Sequence, residues 1–197
     1  MVRNVVFDMG NVLLTYDPSV PLNAFCETKE EKETIRRELF LGPEWIEGDL
    51  GNLTSDGKYE RVKQRVPKHM HPALKKCVYG WDICLEPVAG AYAFCEYLKG
   101  KGYRIFVLSN AGSDFYDYFP RFAPLAYFDG IVVSADLHRI KPDFKIFRHL
   151  LETYRLDAKE CLFLDDMEEN VKAARQVGMA GEVFSGDFER IRAQYGL

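Results

Sequence analysis

The sequence predicts an α/β protein: a three-layer, Rossmann-like core around a parallel sheet, interrupted near its start by an all-helical insertion. Three observations lead there. From about residue 88 onward, short apolar runs alternate with segments of helical periodicity, as successive βαβ units require. The first apolar run, Val5-Val6-Phe7, stops at Asp8-Met9-Gly10, as a buried strand does when it delivers a charge to the open edge where α/β sheets bind ligands. Residues 16–86, by contrast, hold charged, helix-favouring stretches and no convincing strand.

Taken in order, the chain opens with a strand ending at Asp8, and the Met9-Gly10-Asn11 turn lets backbone amides approach a reacting group. In the insertion, Thr28-Lys29-Glu30-Glu31 reads as a capping box that starts a helix running to about Phe40. Thr54-Ser55-Asp56 opens another, running through Val66 until Pro67 stops it. After Pro87, the residues Val88, Ala91, Tyr92, Cys95 and Leu98 recur at helical spacing. Arg104 to Asn110 is the second strand and Gly130 to Ser134 the third. The stripe Phe147, Leu150, Leu151 and Tyr154 precedes a strand ending at Asp165, and Val171, Ala174 and Val177 form the next stripe. Gly181 to Phe184 is the last strand, and Phe188 to Tyr195 a closing helix. The division expected is a core of residues 1–15 and 87–197 around an insertion of residues 16–86.

Composition narrows the partners. At 197 residues the chain can bury a good core, and 47% hydrophobic with 28% charged residues is ordinary for a globular protein. Lys and Arg number 26 against 30 Asp and Glu, with no basic run to track a nucleic acid, so a small-molecule ligand is expected. No stretch of about 18 apolar residues spans a bilayer and no export-type signal precedes the first strand, which predicts a cytoplasmic location. Five cysteines without a Cys-x-x-Cys pair suggest neither disulfides nor zinc, and Cys95 and Cys161 read as small core residues.

Four short blocks carry chemistry. Asp8 supplies a carboxylate, Ser109-Asn110 a hydroxyl at the end of the second strand, Lys141-Pro142 an ammonium, and Asp165-Asp166 a carboxylate pair. In that order the blocks resemble the four motifs of the haloacid dehalogenase superfamily, with Asn170 completing the last. The first motif, Phe7-Asp8-Met9-Gly10-Asn11-Val12, is closest to the bacterial sugar-phosphate phosphatases of the α-D-glucose-1-phosphate phosphatase type. The resemblance implies that Asp8 is the nucleophile and that the insertion is a cap over the strand ends. Three carboxylates at one edge repel one another unless a cation intervenes, and Mg²⁺, which prefers oxygen ligands and touches phosphate readily, is the expected cofactor. The ligands expected are Asp8, the Gly10 carbonyl and Asp166, with Asp165 standing behind them by resemblance. Lys141 is expected to contact Asp8 and a phosphate oxygen, while Ser109 and the amides of Asn110 and Ala111 cradle the same group. Asn170, one helical turn on, is expected to brace Asp166.

One departure matters for mechanism. Most phosphatases of this superfamily carry a second aspartate two residues after the nucleophile as general acid and base, and here that position is Gly10. Such help is worth about 10²- to 10⁴-fold. Either the substrate has an easy leaving group, as a hexose 1-phosphate does, or a cap residue replaces the shuttle, with Glu47, Asp49, His69 and His71 as candidates. Residues from Leu41 to Asp49, Trp45 above all, are plausible contacts for the rest of the substrate. The competing readings are a metal-independent 2-haloacid dehalogenase and a noncatalytic phosphometabolite-binding protein; the Asp165-Asp166 pair favours the phosphatase.

Overall fold

The computed structural model describes residues 1–197. Five strands, β1 (Asn4–Phe7), β2 (Arg104–Ser109), β3 (Gly130–Val133), β4 (Cys161–Asp165) and β5 (Ala180–Val183), form one parallel sheet in the order β3-β2-β1-β4-β5. Side chains alternate between its faces. Val5, Phe7, Ile105, Val107, Leu162 and Leu164 join the larger core with α6 (Ala91–Gly100) and α11 (Phe188–Tyr195). On the other face Val6, Phe106, Leu108 and Phe163 pack on α9 (Phe144–Thr153) and α10 (Glu168–Gln176) through Ile146, Phe147, Leu150, Ala173 and Ala174. Both faces are covered, which is why the strands read as continuous apolar runs rather than alternating ones.

The chain builds β2 and β3 on one side of β1, then crosses to build β4 and β5 on the other. That reversal beside β1 is where open α/β sheets leave a crevice at their carboxyl edge. Register carries the chemistry to one level. Phe7 pairs with Leu164, the Asp8 N–H donates to the Leu164 carbonyl at 2.8 Å, and Asp165 follows as the last residue of β4.

Between β1 and α6 every regular element is helical: α1 (Ser19–Phe25), α2 (Lys29–Ile35) continuing as a π-helical stretch Arg36–Phe40, α3 (Pro43–Asp49), α4 (Ser55–Val62) and α5 (His71–Tyr79), with two short 3₁₀ turns. The Thr28 capping box is present, and its helical run reaches Phe40. Helix α4 starts where Thr54 Oγ1 accepts from the Gly57 N–H, but it ends at Val62 rather than Val66. There the chain tightens into i→i+3 turns, and Arg65 is drawn onto Glu44 at 2.7 and 2.8 Å and onto Glu38 at 2.9 Å. Helix α6 begins at Ala91 rather than Val88 because Gly90 takes a left-handed conformation, φ 81°.

The segments entering and leaving the insertion run side by side. Thr15 N–H donates to the Glu86 carbonyl at 2.8 Å, Thr15 Oγ1 donates to the Cys84 carbonyl at 2.7 Å, and Val88 N–H donates to Leu13 at 3.0 Å. All five cysteines are buried and free.

Candidate active site

At the carboxyl edge of the sheet, three segments far apart in sequence bring Asp8, Lys141 and Asp165 together. Lys141 Nζ lies 2.7 Å from Asp8 Oδ1 and 2.8 Å from Asp165 Oδ2. The residues are 9%, 3% and 0% exposed for Asp8, Lys141 and Asp165, so a single ammonium serves two buried carboxylates. Burial pushes the Asp8 carboxyl up to about 7 against the downward pull of Lys141, and Asp165 and Asp166 add to the rise. Burial works to lower the Lys141 pKa, but Asp8 and Asp165 outweigh it and keep the ammonium charged.

Asp165 and Asp166 differ in what they leave free. Asp165 accepts from Lys141 Nζ, from the Met167 N–H at 2.8 Å and from Asn170 Nδ2 at 3.0 and 3.1 Å. Asp166 is half-buried and accepts one bond, from Asn11 Nδ2 at 2.9 Å. Asn170 therefore braces Asp165, not Asp166 as the sequence suggested. The turn that starts α10 folds the Met167 N–H onto Asp165, which sets the first turn of the helix, and Asn170 with it, over the end of β4.

The turn after β1 completes this edge. Asn11 sits at φ 55°, a left-handed conformation that asparagine tolerates, and its Oδ1 accepts from the Tyr16 N–H at 2.9 Å. One side chain thus ties Asp166 to the Tyr16 backbone. Carboxylate oxygens of Asp8, Asp165 and Asp166 lie within 4.8 Å of one another, and the nearby Gly10 carbonyl accepts no hydrogen bond. An all-oxygen set with surplus negative charge fits a hard divalent cation.

Beside the second block, the Ala111 amide is placed differently from expectation. Ser109 is buried with its hydroxyl unpartnered. Asn110 lines the cavity above Asp8, but its side chain is engaged with the Lys141 backbone through bonds of 2.7 and 3.0 Å. The Ala111 N–H was expected to face phosphate; instead it donates to Ser134 Oγ at 2.9 Å, because the start of α8 (Ser134–Leu137) packs directly against that loop.

Above Asp8 opens a cavity of about 490 Å³. Asp8, Asn110, Lys141 and Asp166 line its base, and an aromatic wall of Tyr16, Phe40, Trp45, Trp81 and Tyr118 lines its upper part. These rings meet pairwise at 5.0 to 6.1 Å between centroids, mostly edge to face or tilted. Trp45 packs on Phe40 and lines the cavity. Leu41 is 71% exposed and takes no part. A hollow of similar size at the amino edge of the sheet, between Arg3, Lys101, Arg104 and Arg155, contains none of the clustered carboxylates.

Of the four proposed shuttle residues, the cavity contains one. Glu47 accepts from Asn52 away from the cavity, His69 is exposed, and His71 Nε2 lies 3.1 and 3.0 Å from the Lys63 and Val66 carbonyls. Asp49 lines the cavity. Sequence reasoning missed Lys58, which is 5% exposed, stands 4.7 Å above the Trp45 ring and forms no ion pair. No pattern in the sequence distinguishes it from a solvated helix lysine. It also missed the bridge made by Asn11, although the Asp-x-Gly-Asn turn was the available signal.

Residues 2–178 match the family model described as haloacid dehalogenase-like hydrolase. A sesquiterpene phosphatase of Aspergillus oryzae is 31% identical over 182 residues, 91% of this chain and 88% of its own. A D-ribitol-5-phosphate phosphatase of Bacteroides thetaiotaomicron is 22% identical over 193 residues, 90% of this chain and 89% of its own. Among solved structures, a haloacid dehalogenase family enzyme of Bacteroides thetaiotaomicron, in complex with magnesium and inorganic phosphate, superposes with a TM-score of 0.75 at 20% identity, covering 97% of this chain and 99% of its own.

Proposed function

The chain belongs to the haloacid dehalogenase-like hydrolases, and from that premise we propose that it is a Mg²⁺-dependent phosphatase that opens a small phosphate monoester through an aspartyl-phosphate on Asp8. The observation that carries this reading is Lys141 held between Asp8 and Asp165 while Asp166 keeps its oxygens largely free beside them. A haloacid dehalogenase needs no third carboxylate at that edge.

In this reading Asp8 attacks phosphorus, and Lys141 orients its carboxylate and offsets charge on the phosphoryl oxygens. Asp8, the Gly10 carbonyl and Asp166 would hold Mg²⁺, and Asp165 fixes Lys141 from behind. Bound there, the cation would neutralise charge on the phosphoryl oxygens and reduce their repulsion by Asp8. Ser109 and Asn110 complete the phosphate side, Asn110 by keeping Lys141 in place. Residues 16–86 act as the cap over a core of residues 1–15 and 87–197. No helix is long and apolar enough to cross a membrane, and five free, buried cysteines suit the reducing cytoplasm.

For the substrate we favour a sugar phosphate, a hexose 1-phosphate in the first instance. Trp45 and Trp81 line the cavity as aromatic surface for a pyranose ring, and Asp49, Lys58 and Asp114 offer partners for hydroxyls in the same cavity. An apolar alcohol such as a prenyl phosphate is the second reading, favoured by the five-ring wall and by the 31% identity to the sesquiterpene phosphatase. Phosphate release from a panel of hexose 1-phosphates, hexose 6-phosphates, pentitol phosphates and prenyl phosphates, with Mg²⁺ and with EDTA, tests the proposal beside Asp8→Asn. We expect Mg²⁺-dependent release that Asp8→Asn abolishes. Activity surviving that substitution, or chloride release from 2-chloropropionate without metal, overturns it.

A further inference from the structure

We propose that Asp49 is the general acid and base of this enzyme, working from the cap side of the cavity in place of the carboxylate that Gly10 lacks. The inference rests on the phosphatase reading and adds the residue that handles the proton.

Three features of geometry carry it. Asp49, the last residue of α3, lines the same cavity as Asp8 and Lys141. Its carboxylate forms no hydrogen bond and no ion pair within 4 Å, and a polar group half-buried without a partner beside a reactive centre is free to serve the substrate. Its backbone is fixed to the loop after β2 through α8, because Ser134 Oγ, which accepts from the Ala111 N–H at 2.9 Å, also donates to the Asp49 carbonyl at 2.5 Å. Next to it His138 Nδ1 lies 2.8 Å from the Leu50 carbonyl. Gly51 and Gly112 let the backbones approach: a Cβ on Gly51 would stand 2.4 Å from the Ala135 carbonyl oxygen, and one on Gly112 3.4 Å from that of Gly48. Asp49 is therefore positioned by the core, although it belongs to the cap.

The surroundings set its protonation. Burial pushes the Asp49 carboxyl up to about 7; Lys58 from α4 and Lys141 from the core pull it down, and Asp114 after β2 pushes it up. Tyr16 and Tyr118 face the same space. A carboxyl titrating near neutrality can be an acid in one half-reaction and a base in the next. As Asp8 Oδ bonds to phosphorus, the bond from phosphorus to the ester oxygen breaks and that oxygen takes the Asp49 proton, leaving as the free alcohol. The Asp49 carboxylate then takes a proton from the water that attacks phosphorus. Inorganic phosphate leaves, Asp8 is regenerated and Asp49 is again protonated, so the cycle consumes one ester and one water.

The test compares Asp49→Asn with the parent enzyme on p-nitrophenyl phosphate, whose leaving group needs no proton, and on n-hexyl phosphate, whose leaving group does. We expect kcat/KM for the aryl ester to fall less than about threefold and that for the alkyl ester to fall at least a hundredfold. The fall in alkyl-ester activity as pH rises through about 7 should disappear in the variant. Asp49→Glu, which keeps the acid, should recover part of the alkyl rate. Equal losses on both esters in a variant with unchanged circular dichroism, or an unchanged pH profile, overturn the role of Asp49 and leave the phosphatase reading standing. A parent enzyme that releases phosphate from neither ester overturns both.

Discussion

Asn110 and Lys141 hold each other by two reciprocal hydrogen bonds: the Lys141 N–H donates to Asn110 Oδ1 at 2.7 Å, and Asn110 Nδ2 donates to the Lys141 carbonyl at 3.0 Å. The residue just after β2 thereby fixes the backbone from which the ammonium reaches Asp8, across 31 residues of chain. Removing the amide loses about 2 kcal/mol of partly buried hydrogen bonding and releases Lys141 by a fraction of an ångström. Because small misplacements at a reacting centre cost on the order of a hundredfold, Asn110→Ala should lower kcat about a hundredfold while the chain still folds. Steady-state kinetics beside a thermal melt would show it, and a kcat within threefold of the parent would refute the positioning role.

Lys141 itself is tied more tightly to stability than to any surface lysine's role. Lys141→Met leaves Asp8 and Asp165 facing one another without a counterion, and breaking such a buried arrangement typically costs about 3–5 kcal/mol. Without Lys141 to pull it down, the already raised Asp8 carboxyl rises further, so its contribution to stability is intact at low pH and is lost as pH rises through its folded-state value. The deficit of Lys141→Met in urea melts should therefore be largest near pH 8 and shrink toward pH 5. A deficit independent of pH would mean that the charge balance is set elsewhere.

Much of this arrangement was legible from the chain. Strands β1 to β4 follow apolar runs because a sheet covered on both faces writes itself into sequence as near-continuous Val, Ile, Leu and Phe, whereas the edge strand β5 carries Gly181 and Glu182. Asp8 and the Asp165-Asp166 pair were found because each stands where such a run ends, and Lys141 because it precedes a proline between a strand and a helix. What was not legible depends on packing between distant segments. The stop of α4 at Val62 follows from Arg65 reaching Glu38 and Glu44, and the diversion of Ala111 follows from Ser134. Lys58 is buried only because α3 offers Gly48 opposite it, where a Cβ would come 3.1 Å from Nζ. Helices α1, α3 and α5 are short, and α3 and α5 carry their apolar residues among charges, although Pro43 and Pro72 in first turns were usable signals.

A divalent cation should stabilise the folded chain in proportion to its occupancy. At a concentration a hundredfold above its Kd, Mg²⁺ would add about 2.7 kcal/mol, which for a chain of this size raises Tm by about 5–10 °C. Asp166→Asn removes the carboxylate with the most open oxygens and should abolish that rise, whereas Glu169→Gln on the same helix edge should not. Differential scanning fluorimetry across a MgCl₂ series checks this, and an equal rise in Asp166→Asn would displace the metal from the assigned ligands.

The same carboxyl that serves as acid should weaken the fold. With a folded-state value of about 7 against the ordinary 3.8, Asp49 contributes stability that is complete below the unfolded value and is lost as pH climbs through 7. Each unit is worth about 1.4 kcal/mol, but the carboxyl opens onto a wet cavity and screening reduces the sum to about 1–2 kcal/mol. Asp49→Asn should therefore be as stable as the parent at pH 4 and more stable at pH 8, by about 3–6 °C in Tm. A variant that gains nothing between those values would show that Asp49 ionises freely in the native state.

Gly10 offers the complementary experiment. A Cβ there meets only Asp8 Oδ2 and the Tyr16 Cβ, both at 3.9 Å, which is ordinary contact distance, and its backbone needs no left-handed conformation. An aspartate can therefore stand where the wider superfamily keeps its acid and base. If Asp49 already performs that task, Gly10→Asp alone should change n-hexyl phosphate turnover less than threefold, because a second acid has nothing left to supply. In the Asp49→Asn background the same substitution should restore at least tenfold of the lost rate, since general acid help is worth about 10²- to 10⁴-fold. Two substitutions far apart in sequence would then be coupled through one proton. Independent, multiplicative effects of the two substitutions on kcat/KM would break that coupling and assign the proton to another group.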